Sequence, residues 1–195
     1  MRILLAVPTY ETIASETFKS IYDLDRGGHD VTFESVKGYD CARARNIIAN
    51  MTLEGEYTHA LMVDSDMVLP PDALVKLLEY PADLVLGCYP HKNTKDHEVE
   101  IFKLDQKDYK QRFRYPELGD EPRIKVKGGG FGCALVAASS LRKIEYPYFK
   151  YVTYASGTTL SEDLYFCSEL RRAGGKIEAD TRVRCGHIMR SVAYD

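Results

Sequence analysis

What the chain lacks narrows it first. None of its 195 residues belongs to an apolar run near the roughly 20 that a membrane-crossing helix needs, so no span is expected. Acidic and basic residues nearly balance, and a net charge of −3 offers no field for binding nucleic acid in bulk. The five cysteines (Cys41, Cys88, Cys133, Cys167 and Cys185) are odd in number, scattered and without a CxxC pair. That argues against a disulfide framework or a structural zinc, and for reduced thiols in a cytoplasmic protein. Cys88, Cys133 and Cys167 sit among apolar neighbours and read as small core hydrophobes. No internal repeat or low-complexity stretch occurs. The glycine run Gly128-Gly129-Gly130-Phe131-Gly132 is no P-loop, because no Gly-Lys-Ser/Thr follows it, and it lies too late between strand-like segments for a dinucleotide fingerprint. Two readings of it remain: a place where a ligand approaches the backbone closely, or a β-bulge or tight hairpin.

The order of elements points to an α/β fold. A chain of this length suits one domain that buries about 70% of its unfolded surface. Met1 to Val7 starts like a signal peptide, but Pro8-Thr9-Tyr10-Glu11 interrupts it and no cleavage site follows, so Ile3 to Val7 reads as strand one. Ile13, Thr17, Ile21 and Leu24 recur at helical spacing until Gly27-Gly28. His29 to Val36 alternates as a strand, Cys41 to Leu53 is helical, and Tyr57 to Val63 is a buried strand. Pro70-Pro71-Asp72 opens another helix, and Asp83 to Tyr89 forms a further strand. This β-α alternation implies a mainly parallel central sheet flanked by helices. After residue 90 the pattern loosens. A charged, tyrosine-bearing stretch runs from His91 to Glu121 with a strand at Val99 to Leu104, and it reads either as a surface excursion or as a mobile solvated loop. Strands follow at Arg123 to Lys127 and Gly132 to Ala137, a short helix starts at Ser139, and a strong helix spans Leu160 to Arg172. The second half thus carries a smaller mixed strand region.

Several side chains stand where chemistry is placed in such folds. Asp64-Ser65-Asp66 ends the third strand, and open α/β sheets bind ligands beyond the carboxyl ends of their strands. Two carboxylates at the edge of an apolar core are costly to desolvate. A hard cation such as Mg²⁺ or Mn²⁺ holding a phosphate would offset that cost. Helix capping by Asp66 and a solvated Asp64 are the plain alternative. Thr159-Leu160-Ser161-Glu162 fits a capping box that occupies Glu162 and leaves Asp163 free near the apolar stripe of Leu160, Leu164, Cys167 and Leu170, where it suits a general base. Arg43 and Arg45 stand near the start of the second helix, with forks suited to phosphate or a nucleobase carbonyl, or else as exposed helix charges. His187 reads as a hydrogen-bonded histidine or a ligand. His29, His59, His91 and His97 have no acid or cysteine at ligand spacing and receive no role.

Taken in order, these pieces resemble a family 2-type glycosyltransferase of GT-A fold. They are Val7-Pro8-Thr9-Tyr10, Ala44-Arg45-Asn46, Glu54-Gly55-Glu56-Tyr57 leading into Asp64-Ser65-Asp66, then Ser161-Glu162-Asp163 and His187. The resemblance implies a single Rossmann-related domain over residues 1–195, with residues 1–90 binding a nucleotide-sugar and residues 91–195 serving acceptor and catalysis. It implies a divalent metal, Mn²⁺ or Mg²⁺, held by Asp66 with Asp64 and His187. Pro8, Thr9, Tyr10, Arg45, Asn46, Asp64 and Ser65 would line the donor site, and Asp163 would be the base of an inverting transfer. The partners implied are a nucleotide-diphosphate sugar and a glycan, lipid-linked or other hydroxyl acceptor, and a homo-oligomer is compatible. The second strand reads Phe33-Glu34-Ser35-Val36 where the family carries an Asp-Asp-Gly-Ser-like run, which leaves the donor base open. The alternatives are a non-catalytic nucleotide-sugar or carbohydrate-binding module on the same fold and, less favoured, a sugar-phosphate nucleotidyltransferase. The latter would need a glycine-rich basic loop after strand one.

Overall fold

The computed structural model describes residues 1–92, 98–104 and 111–189. The first half runs β1 (Arg2–Thr9), α1 (Ser15–Tyr22), β2 (Asp30–Lys37), α2 (Cys41–Glu54), β3 (His59–Val63), β4 (Met67–Val68), α3 (Ala73–Leu78) and β5 (Leu84–Cys88). There follow β6 (Glu98–Phe102), β7 (Arg112–Arg114), β8 (Arg123–Lys125), β9 (Gly128–Gly129), β10 (Cys133–Ala137) and α4 (Ala138–Leu141). The last elements are β11 (Val152–Thr153), β12 (Thr159–Leu160), α5 (Glu162–Arg172), β13 (Ile177–Arg184) and β14 (Gly186–His187). His97 lies outside the described residues, as does part of the charged excursion.

Seven strands form the central sheet in the order β2-β1-β3-β10-β5-β13-β8. Its apolar strands are buried on both faces, so alternate residues feed two cores. Leu4, Ala6, Ala60 and Met62 pack toward α2, α4 and α5, whereas Ile3, Leu5, Leu61 and Val63 pack toward α1 and α3. The sheet is mixed rather than mainly parallel. β1 pairs in parallel with β2 and β3, and β5 with β13, but β10 enters antiparallel between β3 and β5 and β8 closes the edge antiparallel. β-α alternation in the first half sets chain direction but not which strand fills the gap beside β3. That place goes to a strand from the second half.

A smaller antiparallel sheet, β7-β6-β9, covers one end of the large one. Here the glycine run finds its reason. Gly129 faces Ile101 across the β6–β9 ladder, and a Cβ on it would lie 2.4 Å from the Glu100 carbonyl oxygen. A Cβ on Gly130 would lie 2.0 Å from the Tyr89 hydroxyl, which accepts a hydrogen bond from the Gly132 N–H. Close strand and ring packing demands glycine at these places. Phe131, inside the run, packs edge-on against Phe149 and Phe166, which stack on each other at 4.7 Å. That trio fixes α5 and the chain after α4 to the sheet. All five cysteines are free, Cys41 exposed and the others buried. No helix among the described residues is long and apolar enough to cross a membrane.

Candidate active site

β3 ends at Val63, and the next three residues turn at the carboxyl edge of the sheet. Backbone bonds set this turn from several directions. The Asp64 N–H donates to the Gly132 carbonyl, and the Ser65 carbonyl accepts from the Ala14 N–H and the Thr17 hydroxyl. Ser65 is therefore placed through its backbone. The two carboxylates on either side of it end in different surroundings.

Asp66 meets His187. The two-stranded ladder of β4 with β14 pairs Met67 with His187, and the Ile188 N–H donates to the Asp66 carbonyl. His187 turns Nδ1 to the Pro90 carbonyl at 2.8 Å and Nε2 toward the Asp66 carboxylate at 3.6 Å. Since a carbonyl can only accept, Nδ1 donates to Pro90, and Nε2 is the ring nitrogen that faces Asp66. A backbone acceptor behind an imidazole is a common support for a metal-ligating histidine. Tyr89 packs edge-on against the same ring at 5.4 Å. Lys92 pairs with the same Asp66 carboxylate oxygen that His187 faces. The Asp66 pKa is held down to about 2, chiefly by His187 with Lys92 adding, against partial burial.

Asp64 turns the other way and accepts from Arg45 Nη2 at 2.8 Å. The other fork nitrogen of Arg45 pairs with Glu162. Arg45 is 2% exposed and its Nε has no partner among the described residues. Burial works against its charge, but Asp64 and then Glu162 more than offset this and raise its pKa. The guanidinium thus fastens the end of β3 to the start of α5 from inside. This corrects the expected capping box: α5 is capped by Ser161 without a side-chain cap bond, and Glu162 is the buried partner of Arg45. Asn46 is also spoken for. Its amide donates to the Ala42 and Phe149 carbonyls, and its oxygen accepts from the Phe149 N–H.

Asp163 opens toward a cavity of about 340 Å³ that also receives Asp64, His187, Lys92, Glu100 and Arg112. The Ser161 hydroxyl donates to its carboxylate. Burial pushes the Asp163 pKa up to about 6, with Arg45 pulling it down and Glu162 pushing it up. A second cavity of about 420 Å³ adjoins this one across Lys92, walled by Asp66, Thr12, Ala14, Ser65 and Met189. Pro8 and Thr9 are buried at the end of β1, with the Thr9 hydroxyl donating to the Thr12 carbonyl, and Tyr10 is 72% exposed. Thr12 and Ala14, four to six residues beyond Pro8, line the cavity.

The fold therefore gathers Asp64, Asp66, Asp163 and His187 at one end of the sheet, with Arg45 beneath them. Sequence reasoning missed Lys92, His91, Glu100 and Arg112. His91 pairs with Glu100, whose other oxygen accepts from Arg112 Nε at 3.1 Å. The signal for Lys92 was present: Pro90-His91-Lys92 follows a strand's carboxyl end, the rule already applied to Asp64 and Asp66. Glu100 and Arg112 gave none, since only the small sheet brings them in.

No three His, Cys, Asp or Glu side chains among the described residues form a ready metal cage. Asp66 with His187 is a two-ligand set, and Mg²⁺ or Mn²⁺ commonly takes few protein ligands and fills the rest with phosphate and water oxygens. The donor set fits such an ion.

No protein-family model matches the chain, and no curated protein sequence matches it significantly. Solved structures do. The crystal structure of A197 from STIV is 21% identical over 97% of this chain and 87% of that one, with a TM-score of 0.65. GalNAc-T7, solved with UDP, GalNAc and Mn²⁺, is 10% identical, with a TM-score of 0.64 over 97% of this chain. This chain spans 44% of the GalNAc-T7 chain. At such identities the likeness speaks of architecture, and what it establishes is that this chain is a mixed α/β domain of GT-A-like fold, a large central sheet flanked by helices.

Proposed function

We propose that the protein is a glycosyltransferase that moves a sugar from a nucleotide diphosphate to an acceptor hydroxyl. The observation that carries this reading is the meeting of Asp64, Asp163 and His187 around one cavity, with Asp66 at its border, at the carboxyl edge of a GT-A-like sheet. The ligands of GalNAc-T7, a UDP, a sugar and Mn²⁺ on a similar fold, lend support from outside.

Asp66 and His187 would hold a divalent ion. Bound there, it would offset charge on the leaving diphosphate. Lys92, which borders both cavities, is placed to hold phosphate oxygens as a point charge. The 420 Å³ cavity beside Ser65 suits the nucleoside side of the donor, and the 340 Å³ cavity suits the sugar and the acceptor hydroxyl. Asp163 takes the acceptor proton as the acceptor oxygen bonds to the sugar's anomeric carbon. The bond from that carbon to the diphosphate breaks on the opposite face, so configuration inverts. A carboxyl with a pKa near 6 is ionised at neutral pH yet more basic than an ordinary aspartate, which favours proton abstraction. Arg45 stays beneath the site and orients Asp64.

Asp66→Ala tests this directly. Mn²⁺-dependent binding of UDP, measured by calorimetry beside a circular dichroism spectrum, should vanish while the spectrum is unchanged. Metal-dependent UDP binding that survives the replacement would refute the assignment of Asp66. Donor hydrolysis that needs both metal and Asp163 separates an enzyme from a binding module.

A further inference from the structure

On the flank of α2 lies a hollow of about 470 Å³, separate from the two cavities at the sheet edge. It runs between α2 and residues 146–151. Its walls present Arg43 and Asn50 from α2 and Tyr146, Lys150 and Tyr151 from the facing segment, with Asp40 at one end. The facing segment is held rigidly. Asn46 bonds both the N–H and the carbonyl of Phe149, and the Phe149 ring stacks on Phe166 of α5. A preformed cleft of this kind loses little entropy when a ligand settles in it.

Its chemistry is selective. Tyr146 is 65% exposed and Tyr151 50% exposed, two large aromatic side chains left in water on one cleft. A sugar ring has an apolar C–H face and a rim of hydroxyls, which matches a flat phenol with an amide such as Asn50 beside it. The charges are lopsided. Arg43 sits 4.4 Å over the Tyr39 ring and Lys150 4.7 Å over the Tyr165 ring, and neither has a carboxylate partner among the described residues. The one carboxylate in the lining, Asp40, is engaged as the cap of α2, accepting from the Arg43 N–H at 3.0 Å. Finally, the cleft abuts the reaction centre. The Tyr151 hydroxyl faces Glu162, which holds Arg45 and precedes Asp163.

We infer that this cleft is the subsite that holds the acceptor, and that the acceptor is an acidic saccharide. Its sugar faces lie on Tyr146 and Tyr151, its carboxylates meet Arg43 and Lys150, and its free hydroxyl end runs past Tyr151 toward Asp163. The acceptor role rests on the proposed transferase reading of the Asp163 cavity. The saccharide site itself rests on the cleft alone.

Tetragalacturonate, its neutral methyl ester and a tetraglutamate peptide serve as probes, with the whole chain titrated by calorimetry and ligand-observed NMR. Tetragalacturonate should bind and the ester should bind about tenfold more weakly, as expected for loss of charge-assisted contacts. The Arg43→Gln/Lys150→Gln variant should reduce the acid to the level of the ester and leave the ester unchanged. Tyr146→Ala should weaken both. These side chains are exposed, so the variants should melt like the parent, and Mn²⁺-dependent UDP binding should be the same in all. Equal binding of acid and ester, survival of acid binding in the double variant, or a peptide that binds as tightly as the saccharide each overturns the inference. Absence of saccharide binding in a chain that still binds UDP with Mn²⁺ overturns it without touching the donor site. Saccharide binding without any metal-dependent UDP binding overturns the transferase reading and the acceptor role with it, while the cleft assignment stands.

Discussion

Arg45 is the side chain whose removal should be felt furthest. Its side chain is 3% exposed and that of Glu162 is 7%, so deleting the guanidinium leaves a carboxylate in a nearly dry place. Breaking a buried pair from one side costs about 3–5 kcal/mol. Asp64 adds little to that cost, because its side chain is 32% exposed and water can replace the lost contact. Arg45→Met keeps length beside the Phe131 ring, over which the guanidinium now sits at 5.5 Å. For a domain of this size the loss corresponds to a fall in melting temperature of about 6–20 °C. Thermal and urea denaturation followed by circular dichroism would measure it. Arg45→Met/Glu162→Leu should recover most of the loss, since an apolar replacement of both partners is often close to neutral. A second effect follows at the base. Arg45 pulls the Asp163 pKa down against burial, so its removal raises that pKa further and moves the acid limb of the activity profile to higher pH. A loss below about 1 kcal/mol, or a double variant no more stable than Arg45→Met, would refute the view that this buried pairing holds α2, β3 and α5 together.

Asp163→Asn should cut turnover by about 10²–10⁴-fold with UDP affinity unchanged, and normal turnover would remove the base from the mechanism. In the parent, activity should rise with pH through about 6 as Asp163 loses its proton. The linkage has the opposite sign for stability. A folded pKa raised from 3.8 to about 6 means that the fold favours the protonated form, so this contribution weakens as pH climbs through that window. Asp163→Asn should therefore melt no lower than the parent at pH 7, and a marked fall in melting temperature would contradict this. Gly130→Val should destabilise by about 1–3 kcal/mol or more, because its Cβ would meet the buried Tyr89 hydroxyl at 2.0 Å. An unchanged melting temperature with lost activity would instead favour a ligand at that backbone.

How much of this was legible in the sequence depended on the range of the interaction. The strands that feed both cores announce themselves as continuous apolar runs, because each is covered on two sides. The placement of Asp64 and Asp66 at a strand's carboxyl end follows from the run before them, and the inward lean of Asp163 from its nearness to the stripe of α5. The acid Glu162 was misread for a physical reason. A local capping pattern and a distant buried cation both call for a carboxylate there, and the cation, 117 residues away in the chain, was invisible. The glycine run was undecided for a similar reason, since the atoms that exclude a Cβ, the Glu100 carbonyl and the Tyr89 hydroxyl, come from other strands.

By itself the sequence determined an α/β fold with a central sheet, the residues of its core and the carboxylates at its edge, all of which rest on periodicity and near-neighbour chemistry. Tertiary structure alone decided that β10 would enter the sheet antiparallel, that β14 would carry His187 to Asp66, and that Arg45 would be spent inside rather than offered to a ligand. Those outcomes depend on which distant groups compete for the same space and charge. A buried guanidinium goes to the carboxylates that can neutralise it, and a strand goes to the edge that can bond it.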